Sequence, residues 1–134
     1  MVLVNGAGPG VGKSTIARAL VTTLRKRGLT AELFAENDIL RRREFRNVID
    51  EFRNRPRVEL STLLAASGAY LCECVRRSKD VYVLDSLLPY WLSLAAWNYS
   101  IVDVEQFFAD LVDIAAGVRI IEIFVEGNLT AGIQ

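Results

Sequence analysis

Hydrophobic positions along the chain of 134 residues fall into short unbroken runs separated by longer stretches with a period near 3.6. Residues 1–4 are one apolar run, after which Ile16, Ala17, Leu20, Val21 and Leu24 recur at helical spacing. Arg25-Lys26-Arg27 suits the negative end of that helix, and Gly28 is placed to cap it. Residues 30–35 predict a second short strand, parallel to the first because a helix joins them. Ile39, Leu40, Phe45, Val48, Ile49 and Phe52 predict a helix that Pro56 ends. Leu60, Leu63, Leu64, Ser67, Leu71, Cys74 and Val75 predict a long amphipathic helix over about 58–77. Residues 81–84 have the unbroken apolar character of a buried strand, ending at Asp85. The aromatic segment 86–99 reads as irregular. Asp103 with Gln106 reads as a capping box, opening a helix through Val104, Phe107, Phe108, Leu111, Val112 and Ala115 that Gly117 ends. Residues 118–125 predict a fourth strand.

Strands alternating with helices predict an α/β protein: a three-layer sandwich on a parallel sheet, forming one domain over 1–134. Ligands of such sheets bind at the carboxyl ends of the strands. Chemistry is therefore expected in the loop after the first strand, at 36–38, at 85–90 and at 126–128.

A net charge of zero removes any global attraction to nucleic acid or to a membrane surface. No apolar run reaches the roughly 18 residues of a membrane span, and no basic-then-apolar leader precedes the first strand. A cytoplasmic protein without nucleic-acid or membrane partners is the expectation. The only cysteines, Cys72 and Cys74, point to different faces of their helix and read as buried thiols in a reduced compartment. There is no histidine. That excludes a Ser-His-Asp triad, a Cys-His pair and histidine-ligated zinc, leaving proton transfer to a carboxylate, lysine, tyrosine or water.

The chemistry centres on Asn5-Gly6-Ala7-Gly8-Pro9-Gly10-Val11-Gly12-Lys13-Ser14-Thr15. A phosphate chain needs several backbone N–H groups converging on one place, and side chains would obstruct them. Glycines at 8, 10 and 12 clear the approach and allow the dihedrals of a tight nest. The loop opens a helix whose free amides and positive dipole end attract anions. Lys13 can reach the β and γ phosphates, and the Ser14 hydroxyl is placed to ligate Mg2+. The dinucleotide fingerprint G-x-G-x-x-G fails in both registers, with Val11 or Lys13 where the third glycine should stand. Asp85, behind its apolar strand, can hold the water shell of the same Mg2+. Arg41, Arg42, Arg43, Arg46, Arg53, Arg55 and Arg57 form a dense basic stretch. They could clamp an anionic group of a substrate, Arg42 and Arg46 being the candidates, or form a solvated face with pairs such as Arg46–Asp50.

The loop, with residues Gly8, Pro9, Gly10, Val11, Gly12, Lys13, Ser14 and Thr15 as nucleotide ligands, resembles the P-loop (Walker A) of nucleoside triphosphatases and kinases. Ala7 takes the place of the motif's first glycine. Residues 1–125 are similar to the nucleoside monophosphate, shikimate, gluconate and chloramphenicol phosphotransferase-like kinases. The resemblance implies a sheet in the order 2-3-1-4-5, ATP and Mg2+ as cofactors, and a small-molecule acceptor. It also implies that a carboxylate at Glu36 or Asp38 orients or deprotonates the acceptor hydroxyl, with Asp38 as N-cap of the following helix the plainer alternative. Tyr90 would belong to the acceptor pocket. Such kinases continue into an arginine-bearing lid and a last strand. This chain stops nine residues after Val125, so the fifth strand is expected to be absent and the fourth to be an exposed edge open to homodimerisation. A nucleotide-binding switch without a small-molecule acceptor is the alternative reading.

Overall fold

A computed structural model describes residues 1–6, 8, 10–85 and 90–126, with side chains described throughout except at 90–92. Strands β1 (Val2–Gly6), β2 (Ala31–Phe34), β3 (Val81–Asp85) and β4 (Ile121–Val125) form one parallel sheet in the order β2-β3-β1-β4. This is an α/β fold on a parallel sheet, and the order matches that expected for the first four strands. Helices are α1 (Lys13–Lys26), α2 (Arg46–Asn54), α3 (Leu60–Arg77), α4 (Tyr90–Ala96) and α5 (Ile101–Ile114). The chain divides into two compact units. One comprises residues 1–36, 79–88 and 119–134, the other 37–78 and 89–118.

The first unit holds the sheet and α1. Val2, Val4, Ala17, Val21, Ala31, Val83 and Val125 form its buried cluster, with Leu20 and Leu24 packed against it. These are the helical repeat and the strand residues that the sequence pattern singles out. At the end of α1, Gly28 takes a φ of +83°. The Gly28 amide donates to the Arg25 carbonyl and the Leu29 amide to that of Leu24, completing a Schellman cap. Arg25 does not stay at the helix end: its Nε and Nη2 both donate to the Ala31 carbonyl at the head of β2. The starts of β2 and β3 are clasped together. Asp80 Oδ2 accepts from the Thr30 amide (2.7 Å) and hydroxyl (2.8 Å), and the Asp80 amide donates back to Thr30 Oγ1. β3 is buried from Tyr82 to Asp85, as a central strand must be. β4 differs from its neighbours. It begins at Ile121 rather than 118, pairs only with β1, and leaves Ile121 and Phe124 more than half exposed.

The second unit is helical. Phe45, buried completely, lies 6.2 Å from the Tyr70 ring, and Ile114 of α5 reaches within 3.5 Å of the space beside Gly68 of α3. Several boundaries depart from the sequence reading. The helix expected from Ile39 starts only at Arg46; before it the chain forms two tighter 3-10 turns, Glu36–Leu40 and Arg43–Phe45. Ser100, not Asp103, is the N-cap of α5. Its hydroxyl accepts from the Asp103 amide, while Asp103 Oδ2 accepts from the Ser100 amide. The motif was read one turn late, and Gln106 instead bonds Asp110. Residues 90–96, expected to be irregular, are helical. Cys74 is buried but Cys72 is exposed, which corrects the reading of both as buried thiols.

The hinge between α2 and α3 around Pro56 is tied by Glu51. Its Oε2 accepts from the Glu59 amide (2.9 Å) and its Oε1 from the Thr62 hydroxyl (2.8 Å), so a carboxylate from α2 takes donors at the open end of α3. Those bonds, first to Glu59 and then to Thr62, hold the Glu51 carboxyl below the usual value of 4.5. Asp80 is lowered in the same way by the Thr30 amide and then its hydroxyl. A carboxyl depressed in the folded state binds fewer protons there than when unfolded. Its stabilisation is complete above its unfolded value and is lost as the pH falls through the folded one. Thermal midpoints followed from pH 7 to pH 3 should therefore drop steeply below about 4.5. Glu51→Gln should start lower at pH 7 and lose less on acidification; equal slopes for the two proteins would remove Glu51 from this role.

Candidate functional site

β1 carries the chain to the carboxyl edge of the sheet between two neighbours. Val4 is in register with Asp85 of β3 on one side, and Gly6 with Val125 of β4 on the other. After Gly6 the backbone must turn sharply and re-enter as a helix. Gly10, with φ +79°, and Gly12, with φ +97°, supply left-handed conformations that a side chain would strain. Gly12 is the N-cap of α1 and offers no capping side chain. The first intrahelical bond runs from the Ile16 amide to the Gly12 carbonyl, which leaves the amides of Lys13, Ser14 and Thr15 at the open helix end. The α1 first turn contains no acidic residue. Amides plus a positive dipole end, without a carboxylate in that first turn, have the chemistry to receive an anion.

Lys13 closes the loop on itself. Its Nζ donates to the Gly8 carbonyl at 2.7 Å, so the ammonium arches back over the turn it follows. Gly8 has no left-handed φ, and a Cβ there would meet nothing within 4 Å. The sequence reading gave one role to the glycines at 8, 10 and 12; the dihedral role belongs to Gly10 and Gly12 alone. Pro9 lies outside the described residues, while Val11 packs against the core of the sheet unit. Ser14 is half-buried and Thr15 exposed.

Gly6 is the residue that motif reasoning passed over. A Cβ on it would stand 2.8 Å from Val11 Cγ2, 2.9 Å from the Val125 carbonyl oxygen and 3.1 Å from Lys13 Cγ. The strand end, the loop and the stem of the lysine meet there. The sequence offered one signal: a glycine at the last residue of a strand, directly before the nest.

Asp85 ends β3 beside β1 and is 4% exposed. A buried carboxylate at the carboxyl edge of the sheet, next to the strand that feeds the loop, has the hard-oxygen chemistry that suits Mg2+. Glu36 is exposed, at the start of the first 3-10 turn. Asp38 is half-buried within that turn, and its carbonyl accepts from the Arg41 and Arg42 amides. It is therefore not the N-cap of an α-helix beginning at Ile39.

The arginines divide their work. Arg43 reaches Glu73 at 3.5 Å, Arg55 pairs with Glu51, and Arg57 pairs with Glu59 and lies 4.5 Å over the Tyr99 ring. Arg42 lies 5.0 Å over Tyr70. The pairing anticipated between Arg46 and Asp50 is not among the ion pairs of the described residues. Arg41, Arg42, Arg43, Arg46 and Arg53 line a hollow of about 310 Å3 together with Leu40, Ile49 and the carboxylate-bearing Asp50. Tyr90 begins α4, but its side chain lies outside the described residues.

No protein-family model matches the chain, and no curated protein matches it. Among solved structures, it is similar to APS kinase CysC of Mycobacterium tuberculosis, solved as a cysteine-to-alanine mutant. The two share 16% identity over 93% of this chain and 75% of that one, with a TM-score of 0.49. A likeness so distant says nothing of chemistry. The site stands on its own loop geometry.

Gly6 separates packing from ligand approach. Gly6→Ala should cost about 1–3 kcal/mol by overpacking and weaken binding of an ATP analogue through Lys13. Gly8→Ala should leave the thermal midpoint unchanged. Calorimetric melting and titration of both variants measure this, and equal melting of the two would deny Gly6 its packing role.

Proposed function

We propose that the chain is a phosphotransferase that takes the γ-phosphoryl group of ATP to a hydroxyl or phosphate of a small molecule. The observation that carries this reading is the loop. Left-handed Gly10 and Gly12, a helix end with free amides, and Lys13 folded back onto Gly8 form a cradle shaped for a phosphate chain.

In this reading the amides of Gly12 to Thr15 hold the β-phosphate, and Lys13 exchanges the Gly8 carbonyl for the β and γ oxygens. A point charge suits that exchange, because the ammonium presents three donors with no planar constraint. Ser14 and Asp85 would hold Mg2+, whose chemistry when bound is to neutralise charge on the phosphate oxygens. Asp38 orients the acceptor hydroxyl or takes its proton, with Glu36 as the other carboxylate available; with no histidine in the chain, the task falls to such a group. An anionic group on the acceptor is taken by the arginine-lined hollow. Arg46 with Arg41 and Arg53 are its best-suited donors, since none of them forms an ion pair with a described residue. Among the described residues no helix is long and apolar enough to cross a membrane.

Two substitutions test the reading. Lys13→Ala should weaken ATP binding by calorimetric titration and abolish turnover; unchanged affinity and activity would end the nucleotide assignment. Asp38→Asn should keep ATP affinity and lower acceptor-dependent ADP production by about 10²- to 10⁴-fold. Because Asp38 caps no α-helix, Asn has no equivalent capping role to preserve. Full activity of Asp38→Asn with loss in Glu36→Gln would transfer the role to Glu36. Activity retained in both, with ADP production indifferent to acceptors, would favour a nucleotide switch.

A further inference from the structure

The second unit carries two exposed apolar surfaces of opposite charge, and one of them is α5. The inward side of this helix is covered: Val104, Phe107 and Ala115 are buried, and Ile114 lies beside Gly68 of α3. Its outward side is apolar too. Ile101, Glu105, Phe108 and Val112 follow at steps of four, three and four residues and share one face, with Val102 on the adjoining flank. Ile101, Val102 and Val112 are 61%, 67% and 68% exposed. A helix that is apolar on both sides belongs where both are covered. α5 also carries four carboxylates, Asp103, Glu105, Asp110 and Asp113, and no lysine or arginine. Asp103 is engaged with Ser100 and Asp110 with Gln106. Glu105 and Asp113 form no ion pair with a described residue.

The other surface is made by the end of the first 3-10 turn and by α2, around the arginine-lined hollow. Leu40 and Phe52 are each 65% exposed there, and Ile49 is half-buried between them in sequence. Residues 41–57 hold seven arginines against Glu44, Asp50 and Glu51. Arg41, Arg46 and Arg53 form no ion pair with a described residue. The chain's net charge of zero therefore conceals an acidic apolar surface and a basic apolar surface on one compact unit. Both are exposed, so they do not cover one another within one copy. Two copies of α5 laid together would set carboxylates against carboxylates, and two copies of the α2 surface would set arginines against arginines. Only the cross pairing joins apolar to apolar and carboxylate to guanidinium.

We propose that α5 of one copy docks on the α2 surface of a second copy of this chain. Ile101, Val102 and Val112 meet Leu40, Ile49 and Phe52 of the second copy, and Glu105 and Asp113 meet its Arg46 and Arg53. Made reciprocally, two such contacts close a two-fold dimer. Each contact covers little more than one helix face, which places the association at the weak, concentration-dependent end of protein interfaces. The pairing does not rest on the phosphotransferase reading. Under that reading, an anionic acceptor competes with the second copy for the same arginines.

Sedimentation velocity of the full chain over a wide range of concentration tests the proposal. The mass should rise with concentration from that of one 14.9 kDa chain towards that of two. Raising the salt from about 0.05 M to about 0.5 M should weaken association about tenfold, since paired surface charges are screened. Charge exchange then identifies the surfaces. A variant with Glu105→Arg and Asp113→Arg should be monomeric, as should one with Arg46→Glu and Arg53→Glu. Mixed together, the two should associate again, because each reversed α5 meets a reversed α2 surface. Should either variant fail to melt cooperatively, Glu105→Gln with Asp113→Asn replaces it and should weaken the wild-type association. A wild-type chain that stays monomeric at every concentration would overturn the proposal. So would undiminished self-association of the charge-reversed or neutralised variants, or a mixture of folded variants that does not associate. Loss of association in Phe124→Asp, with the α5 and α2 variants unaffected, would move the contact to the edge of β4.

Discussion

The site depends on how closely β1 and β4 approach at their carboxyl ends. Gly6 is in register with Val125, and the Val125 carbonyl stands 2.9 Å from where a Gly6 Cβ would be. That closeness fixes the end of β1 between two strands and leaves the chain one direction in which to leave the sheet. The turn that follows must be made within a few residues by left-handed backbone, which Gly10 and Gly12 provide. α1 then begins with the amides of Lys13, Ser14 and Thr15 at its open end. The described part of the loop is held by packing at Gly6, by Val11 against the core cluster and by Lys13 on the Gly8 carbonyl. Preorganised donors of this kind need little rearrangement to receive charge, which is the condition for electrostatic catalysis.

Most of the sheet unit was legible in the sequence, and the reason is physical. Apolar runs at 1–4 and 81–84 marked the two central strands, because such strands are buried along their length in a parallel sheet, while the outer strands carry Glu32 and Glu122 within their runs. The glycines and Lys13-Ser14 fixed the loop, because few residue types allow a nest that opens a helix. Gly28 announced the end of α1 for the same kind of reason. Gly6 was harder to read. Its requirement comes not from its own dihedrals but from Val125, far along the chain, and periodicity carries no record of such a meeting.

The helical unit was legible in outline and wrong in detail. Phe45, Val48, Ile49 and Phe52 do belong to one apolar pattern, but the pattern does not say where α geometry begins. Between β2 and α2 the chain forms two tighter turns instead, Glu36–Leu40 and Arg43–Phe45, and Asp38 sits inside the first. At α5 two capping residues competed three positions apart. Ser100 won the N-cap and Asp103 took the answering role, an arrangement in which both side chains are bonded rather than one. The face of Cys72 was misread because neighbouring positions on a helix differ by about 100°, so burial of Cys74 implies nothing for a residue two places earlier.

Recognition by main-chain amides and recognition by side chains leave different traces in a sequence. Phosphate is received by main-chain amides, whose placement depends on dihedrals, and dihedrals leave a signature of glycines. An acceptor is received by side chains gathered from turns and helices, and their gathering leaves no local signature. The arginines illustrate this. Seven lie between positions 41 and 57 and look alike in the sequence. Only the fold separates Arg43, Arg55 and Arg57, engaged with Glu73, Glu51 and Glu59, from Arg41, Arg46 and Arg53 around an open hollow. Glu44 and Glu51 make the same point with opposite charge. Both lie among arginines. Glu51 takes an amide and a hydroxyl at the start of α3, while Glu44 has the Arg43 guanidinium at 3.8 Å. Whether a charged side chain holds the fold together or waits for a ligand is decided by the donors around it, not by its neighbours in the chain.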